Sequence, residues 1–339
     1  MRRSVRTFAP LAALLLVAAA CAAPRQAAPT ATVPTGTAAA SPTPNFEGRT
    51  LNIVTGGTGG VYIVYGAGLA DVLSKKMKVA ASAQQTTASV DNMKFIGQLK
   101  ADLAFTLADT AYDATVGKAP QFTEKVDARV LAVLYTNFTH LVTKDGSGIT
   151  TVAGLKGKRV SMGAAGSGTE IIGNRTLEAY GLNPATDIQR ERLGIADSAN
   201  ALRDNRIDAF FWSGGLPTGA VNELANATKL KFIDLNEGIA KMASTYGPFY
   251  VPVKIPAGVY KDVPELTVSG VQNLLVVNTK FDAAFAKAIL TAMFDSKSDL
   301  EVIHSEAKNL KLDTATVGSP IPFHDGAIEF YKAKGVWKQ

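Results

Sequence analysis

Short apolar runs alternate with longer amphipathic stretches from Arg49 onward, and the alternation predicts strand and helix in turn. Residues 51–55 (LNIVT) read as a strand, followed by the loop GGTGG and by helical spacing of apolar positions over 62–76. Residues 78–83 predict a second strand, 89–100 a helix and 102–107 (DLAFTL) a third strand, a βαβαβ order. Two strands in close succession follow, 129–137 (RVLAVLYTN) and 140–144 (HLVTK), closed by the turn 145–148 (DGSG). A second unit then repeats the layout about 110 residues on. It has a helical turn at 152–155, a strand at 158–162 (KRVSM), a glycine-rich turn at 163–168 and a helix at 170–180 stopped by Gly181. A helix over 196–204 and a strand at 207–212 (IDAFFW) complete it. From 268 the chain returns to strand, then to a helix over 282–300. The expected fold class is α/β with two lobes, each a mixed sheet flanked by helices. The second unit is expected to be a separate lobe rather than a continuation of the first sheet, with the tail returning to the first. The expected boundaries are 48–138 with 271–339 for one lobe and 139–270 for the other.

The first residues change the picture of where such a protein works. Arg2, Arg3 and Arg6 precede an apolar stretch at 11–20, too short to span a bilayer, and the chain's one cysteine, Cys21, follows the small residues Ala18-Ala19-Ala20. This is the layout of an export signal over 1–20 with Cys21 as a lipid anchor; the alternative is an ordinary secretory signal with Cys21 incidental. Residues 21–47, rich in Ala, Pro and Thr and poor in large apolar groups, read as a flexible tether. Net charge is +6 for the chain and +3 once the three leader arginines are removed, too slight a basicity to indicate nucleic acid. A monomer is expected, touching the membrane only through the anchor.

Candidate chemistry sits in two loops. In Thr55-Gly56-Gly57-Thr58-Gly59-Gly60, between strand and helix, the glycines let a backbone approach closely, and the following helix start offers unpaired N–H groups at a positive dipole end. An anion suits that place. The tight-turn alternative stays open for this loop alone, while a nucleotide site is disfavoured because no Lys-Ser or Lys-Thr follows and the spacing is not G-x-G-x-x-G. The loop Gly163 to Glu170 (GAAGSGTE) repeats the logic with hydroxyls at Ser167 and Thr169. Two such loops, one per lobe, would face each other across a cleft and hold one carboxylate-bearing molecule. Gly166-Ser167-Gly168 lacks the spacers of a hydrolase elbow, and His140, His304 and His324 have no metal-ligand spacing, so no catalytic set assembles and no cofactor is expected. Phe211 reads as core, whereas Trp212, on the other strand face and followed by a glycine-rich loop, reads as a cleft wall.

An ordered series of segments resembles a known family. These are TGGTGGVY at 55–62, TTASVDNM at 86–93, ADLAFTLADTAYDA at 101–114, LKGKRVSMGAAGSGTE at 155–170, ALRDNRIDAFFWSGGLP at 201–217, IPAGVY at 255–260 and PIPFHDGAIEFYKAKG at 320–335. Over roughly 51–337 the chain resembles the TAXI-type solute receptors of tripartite ATP-independent periplasmic (TRAP) transporters. The resemblance implies a type II periplasmic-binding-protein fold with a two-segment hinge. It also implies capture of a small anionic solute, such as glutamate, glutamine or 2-oxoglutarate, for TRAP membrane permease subunits. Carried over by position, Thr55, Gly59 and Tyr62 line the first-lobe side, with Ser89 and Asn92 near them. Ser167, Gly168 and Thr169 meet the ligand from the second lobe, with Trp212 and Gly215 beside them. Where the family has an aromatic residue and a proline after its first tyrosine, this chain has Ile63 and Val64. The arginine with which the other TRAP receptor family fixes its acid has no counterpart, since Arg159 opens a strand remote from the loop and Arg175 lies deep in its helix. The alternatives are a binding lipoprotein of an ABC importer, a ligand-presenting sensor subunit, or an enzyme on the same scaffold, the last lacking a nucleophile or acid–base pair.

Overall fold

A computed structural model describes residues 44–118 and 120–338. The expected leader 1–20, Cys21 and the tether as far as residue 43 lie outside the described residues. The first lobe opens with β1 (Thr50–Val54), α1 (Val61–Met77), β2 (Ala80–Gln84), α2 (Ser89–Gly97), β3 (Leu103–Leu107) and α3 (Ala108–Val116). The chain crosses on β4 (Ala128–Lys144). Beyond it come β5 (Arg159–Ser161), α4 (Gly168–Ala179), β6 (Gln189–Glu191), α5 (Ile195–Arg203), β7 (Ala209–Gly214), α6 (Gly219–Ala227), β8 (Leu230–Phe232), α7 (Asn236–Tyr246) and β9 (Val251–Ile255). It returns on β10 (Leu266–Asn278) and ends in α8 (Ala283–Asp295), α9 (Lys297–Ile303) and α10 (Asp325–Ala333).

The strands run in the order β2-β1-β3-β10-β4-β7-β5-β6, with β8 beside β4 and β9 beside β10. β1 pairs parallel with β2 and β3, and β5 parallel with β6 and β7, whereas β4 and β10 run antiparallel to their neighbours. One expectation is corrected here: the second sheet does continue the first. Residues 129–137 and 140–144 form one strand, not two, because β4 has no breaker between Asn137 and His140. Its first part pairs with β10 up to Phe138, and from Phe138 onward it pairs with β7. The expected helix over 282–300 is likewise divided at Ser296 into α8 and α9.

Apolar packing nevertheless forms two clusters. One gathers β1, β3, the first half of β4, most of β10 and helices α1, α2, α8 and α10 around Phe105, Tyr65 and Phe285. The other gathers Leu141, Phe210, Phe211, Leu202 and Tyr260 in the second lobe. Ile171 and Ile172 of α4 belong to the first cluster, so a second-lobe helix packs on the first lobe.

The histidines take structural roles. His304 and His324 cap short helical segments by accepting backbone N–H groups from Glu306 and Gly326. His140, fully buried where β4 enters the second lobe, donates Nδ1–H to the Phe138 carbonyl, and its Nε2 lies 3.0 Å from the Tyr260 hydroxyl, itself bonded by the Thr218 amide. Burial pushes the imidazole down to about 4 against its Phe138 hydrogen bond. A histidine depressed in the folded state contributes stability above its unfolded value near 6.5 that is lost as pH falls toward 4, in total about 3 kcal/mol. Urea titrations over that window should show this loss in the wild type and a flatter profile in His140→Gln.

Candidate functional site

A cavity of about 500 Å³ lies between the lobes. From the first lobe its walls are the β1–α1 loop, residues 85–89, Leu107, Tyr135 and Asn137; from the second, the β5–α4 loop, the start of α5 and residues 212–214. Both glycine-rich loops therefore border one cleft.

Helix starts set its chemistry. The N–H groups of the first turn have no partner inside a helix. Those of α2 are spent across the cleft, because Val90 and Asp91 donate to the Gly166 carbonyl at 3.2 and 3.4 Å. In α4, Ser167 caps by accepting the Glu170 amide at 3.1 Å. The amides of Val61 and Tyr62 on α1, Gly168 and Thr169 on α4, and Ile195 and Ala196 on α5 have no partner among the described residues, and all six residues line the cavity. Burial works to raise the Glu170 carboxyl, but hydrogen bonds from Arg190 and Arg192, both 2.7 Å, hold it below the usual range.

Six of the residues singled out from sequence line the cavity: Tyr62, Ser89, Ser167, Gly168, Thr169 and Trp212. Tyr62 donates its hydroxyl to Asn273 Oδ1, Ser89 Oγ accepts the Leu107 amide, and Thr169 Oγ1 accepts the Ser213 amide. Trp212 donates Nε1–H to Thr218 Oγ1 at 2.8 Å, which fixes the indole as a wall.

The other four are not among the lining residues. Thr55 is fully buried, with Oγ1 bonded to the Gln84 carbonyl at 2.7 Å. Asn92 is also fully buried and spends its side chain on the Thr55 and Phe105 carbonyls, at 2.6 and 2.8 Å, and on the Thr86 hydroxyl. Both shape the loop from behind. Gly59 has φ +82°, and its carbonyl accepts the Ala220 amide from the second lobe. A Cβ at Gly215 would meet Glu306 at 2.6 Å. The reason expected for the glycines is corrected in part, since several admit the opposite lobe. A Cβ at Gly60 would lie 3.0 Å from Trp212, and one at Gly168 would lie 2.6 Å from Leu107 and 2.8 Å from Ser89 Oγ.

Sequence reasoning missed the floor. Asn273 Nδ2 donates to Asn137 Oδ1 at 2.6 Å, and Asn137 Nδ2 donates to the Ser213 carbonyl at 3.2 Å, so a chain of amides runs from Tyr62 across β10 and β4 to β7. A polar residue within an apolar strand was the available signal. Arg159 is bound to Asp208, and Arg175 to Asp109, Asp113 and Tyr250; neither lines the cavity.

Two α/β lobes joined by crossing strands, with a cleft between them, define the periplasmic solute-binding-protein fold. The chain belongs to the NMT1-like family, whose model matches residues 53–335. Among solved structures it is similar to a periplasmic transporter (10% identity, 84% of this chain and 92% of that one, TM-score 0.53). It is also similar to a binding protein component of an ABC phosphonate transporter from Pseudomonas aeruginosa (10% identity, 78% and 81%, TM-score 0.51). A further likeness is to the periplasmic aliphatic sulphonate binding protein SsuA from Escherichia coli (17% identity, 86% and 94%, TM-score 0.47). No helix among the described residues is long and apolar enough to cross a membrane.

Proposed function

We propose that the protein is an extracytoplasmic solute receptor of the TAXI type, which closes its lobes on a small carboxylate and delivers it to the membrane subunits of a TRAP transporter. The observation that carries this reading is the cavity itself, in which unpaired helix-start amides from both lobes meet without a lysine, arginine or histidine among the lining side chains. A carboxylate accepting two or three such N–H groups gains charge-assisted bonds of about 1.5–3 kcal/mol each. Those bonds exist in full only when both lobes contribute, so the ligand favours the closed state by its differential contacts. The reading takes residues 48–138 with 271–339 as one lobe and 139–270 as the other. It takes Cys21 as the lipid anchor that tethers the receptor outside the cell membrane. Thr55, Asn92, Gly59 and Gly215 act in it by shaping the walls and the lobe contact.

The two tryptophans give a direct test. Trp212 lines the cavity, while Trp337 packs edge-on against Phe323 at 5.4 Å. Titration with glutamine, glutamate and 2-oxoglutarate should change the emission of the wild type and of Trp337→Phe in a saturable way, and leave Trp212→Phe silent. A carboxylate-independent signal, or one that resides in Trp337, contradicts the reading. Uptake that follows an ion gradient and survives ATP depletion separates a TRAP permease from an ABC importer.

A further inference from the structure

We infer that Asp197 is the specificity-determining residue of the cleft, selecting a ligand with one carboxylate and one ammonium group over a dicarboxylate. The inference rests on the carboxylate reading above and narrows it. Asp197 is the one charged side chain among the residues lining the cavity. It is exposed, stands in the first turn of α5, and has no hydrogen-bond or ion-pair partner among the described residues.

The helix starts fix how much negative charge the cavity accepts. Each unopposed start is equivalent to about half a positive charge. At α5 the carboxylate of Asp197 opposes it. At α2 the amides are taken by the Gly166 carbonyl, and Asp91 lies in the first turn. That leaves α1, which has no acidic residue in its first turn, and α4, whose Glu170 is more than neutralised by Arg190 and Arg192, although neither arginine lines the cavity. Two unopposed starts complement about one negative charge.

The floor adds no cation. Tyr135 and Ser213 line the cavity, and their buried hydroxyls have no partner among the described residues. Burial, with Tyr62 and Glu306 nearby, holds the Tyr135 phenol protonated and therefore uncharged. A second carboxylate in this space would meet only neutral donors, namely the hydroxyls, the Gln85 amide and the Ile195 and Ala196 N–H groups, the last two beside the negative charge of Asp197. An ammonium group would meet Asp197 as its counter-charge, and like-charge repulsion in a partly desolvated site discriminates strongly between the two.

The test is isothermal calorimetry on the whole mature protein and on Asp197→Asn, a near-isosteric change that breaks no existing contact. The ligands are the twenty common amino acids, each binder paired with the acid lacking its amino group, together with succinate, glutarate and 2-oxoglutarate. The expected result is an amino acid bound at least about tenfold more tightly than its des-amino partner and than any dicarboxylate, with that gap erased in Asp197→Asn. A dicarboxylate that binds best and is indifferent to Asp197→Asn, or a des-amino acid that binds as well as its parent, overturns the inference and leaves the carboxylate reading standing. If no carboxylate of either kind binds, the carboxylate reading itself falls, and this inference with it.

Discussion

Gly168→Val should weaken ligand binding by about a hundredfold or more, close to 3 kcal/mol, while moving the melting temperature by only a few degrees. Gly168 begins α4, and a Cβ there would stand 2.6 Å from Leu107 Cδ1 and 2.8 Å from Ser89 Oγ, both on the first lobe. Its backbone angle is open to any residue, so the effect is steric and falls on the contact between the lobes. A branched side chain holds them apart, separating the α1 amides from the α4 amides that the ligand must bridge. Calorimetry gives the affinity, and small-angle scattering should show the variant remaining open at ligand concentrations that compact the wild type. Retention of wild-type affinity would mean that the ligand does not need both loops at once.

The second large effect is on stability. Arg175→Ala should cost about 3–5 kcal/mol, because it leaves carboxylates buried without their counter-charge. Arg175 reaches from α4 to the first lobe. Its Nη1 donates to the Tyr250 hydroxyl at 2.7 Å and lies 3.5 Å from Asp109 Oδ2, and its Nη2 donates to Asp113. Tyr250 in turn donates to Asp109 at 2.6 Å, and Lys118 stands 3.9 Å from Asp113. A melting temperature lower by roughly 10 °C is expected for a chain of this size. Burial already raises the Asp113 carboxyl despite Arg175. An acid raised in the folded state contributes stability at low pH that is lost as pH rises through its folded value, so the deficit of Arg175→Ala should be largest near neutrality and shrink in acid. A loss below 1 kcal/mol at pH 7 would show that the cluster is solvated and does not join the lobes.

The sequence made the cavity legible only where chain-local signals reach it. The two strand–loop–helix units, with Gly56 to Tyr62 and Gly163 to Thr169 at helix starts, were readable because glycine, capping serine and helical periodicity are local. The floor was not readable, since the polar side chains of Asn137 and Asn273 sit in apolar strands far apart in sequence and meet only through β-pairing. Thr55 and Asn92 are placed at the site by position through the family resemblance, whereas their hydrogen bonds turn them inward to neighbouring backbone. The merging of the two sheets was hidden for a related reason. Whether β4 breaks between Asn137 and His140 depends on having partners on both sides, which β10 and β7 supply. Asp197 could be read as a first-turn helix residue but not as a cavity wall until the two lobes were brought together.

The central claim, that a carboxylate is gripped at once by α1 and α4, is tested most directly by the backbone amide spectrum of the isotopically labelled receptor. The carboxylate that gives the largest thermal stabilisation should be titrated to saturation. Downfield shifts concentrated on the amide protons of Val61, Tyr62, Gly168 and Thr169 are the expected result. Shifts confined to one lobe, or absent from all four while the ligand binds, would contradict it.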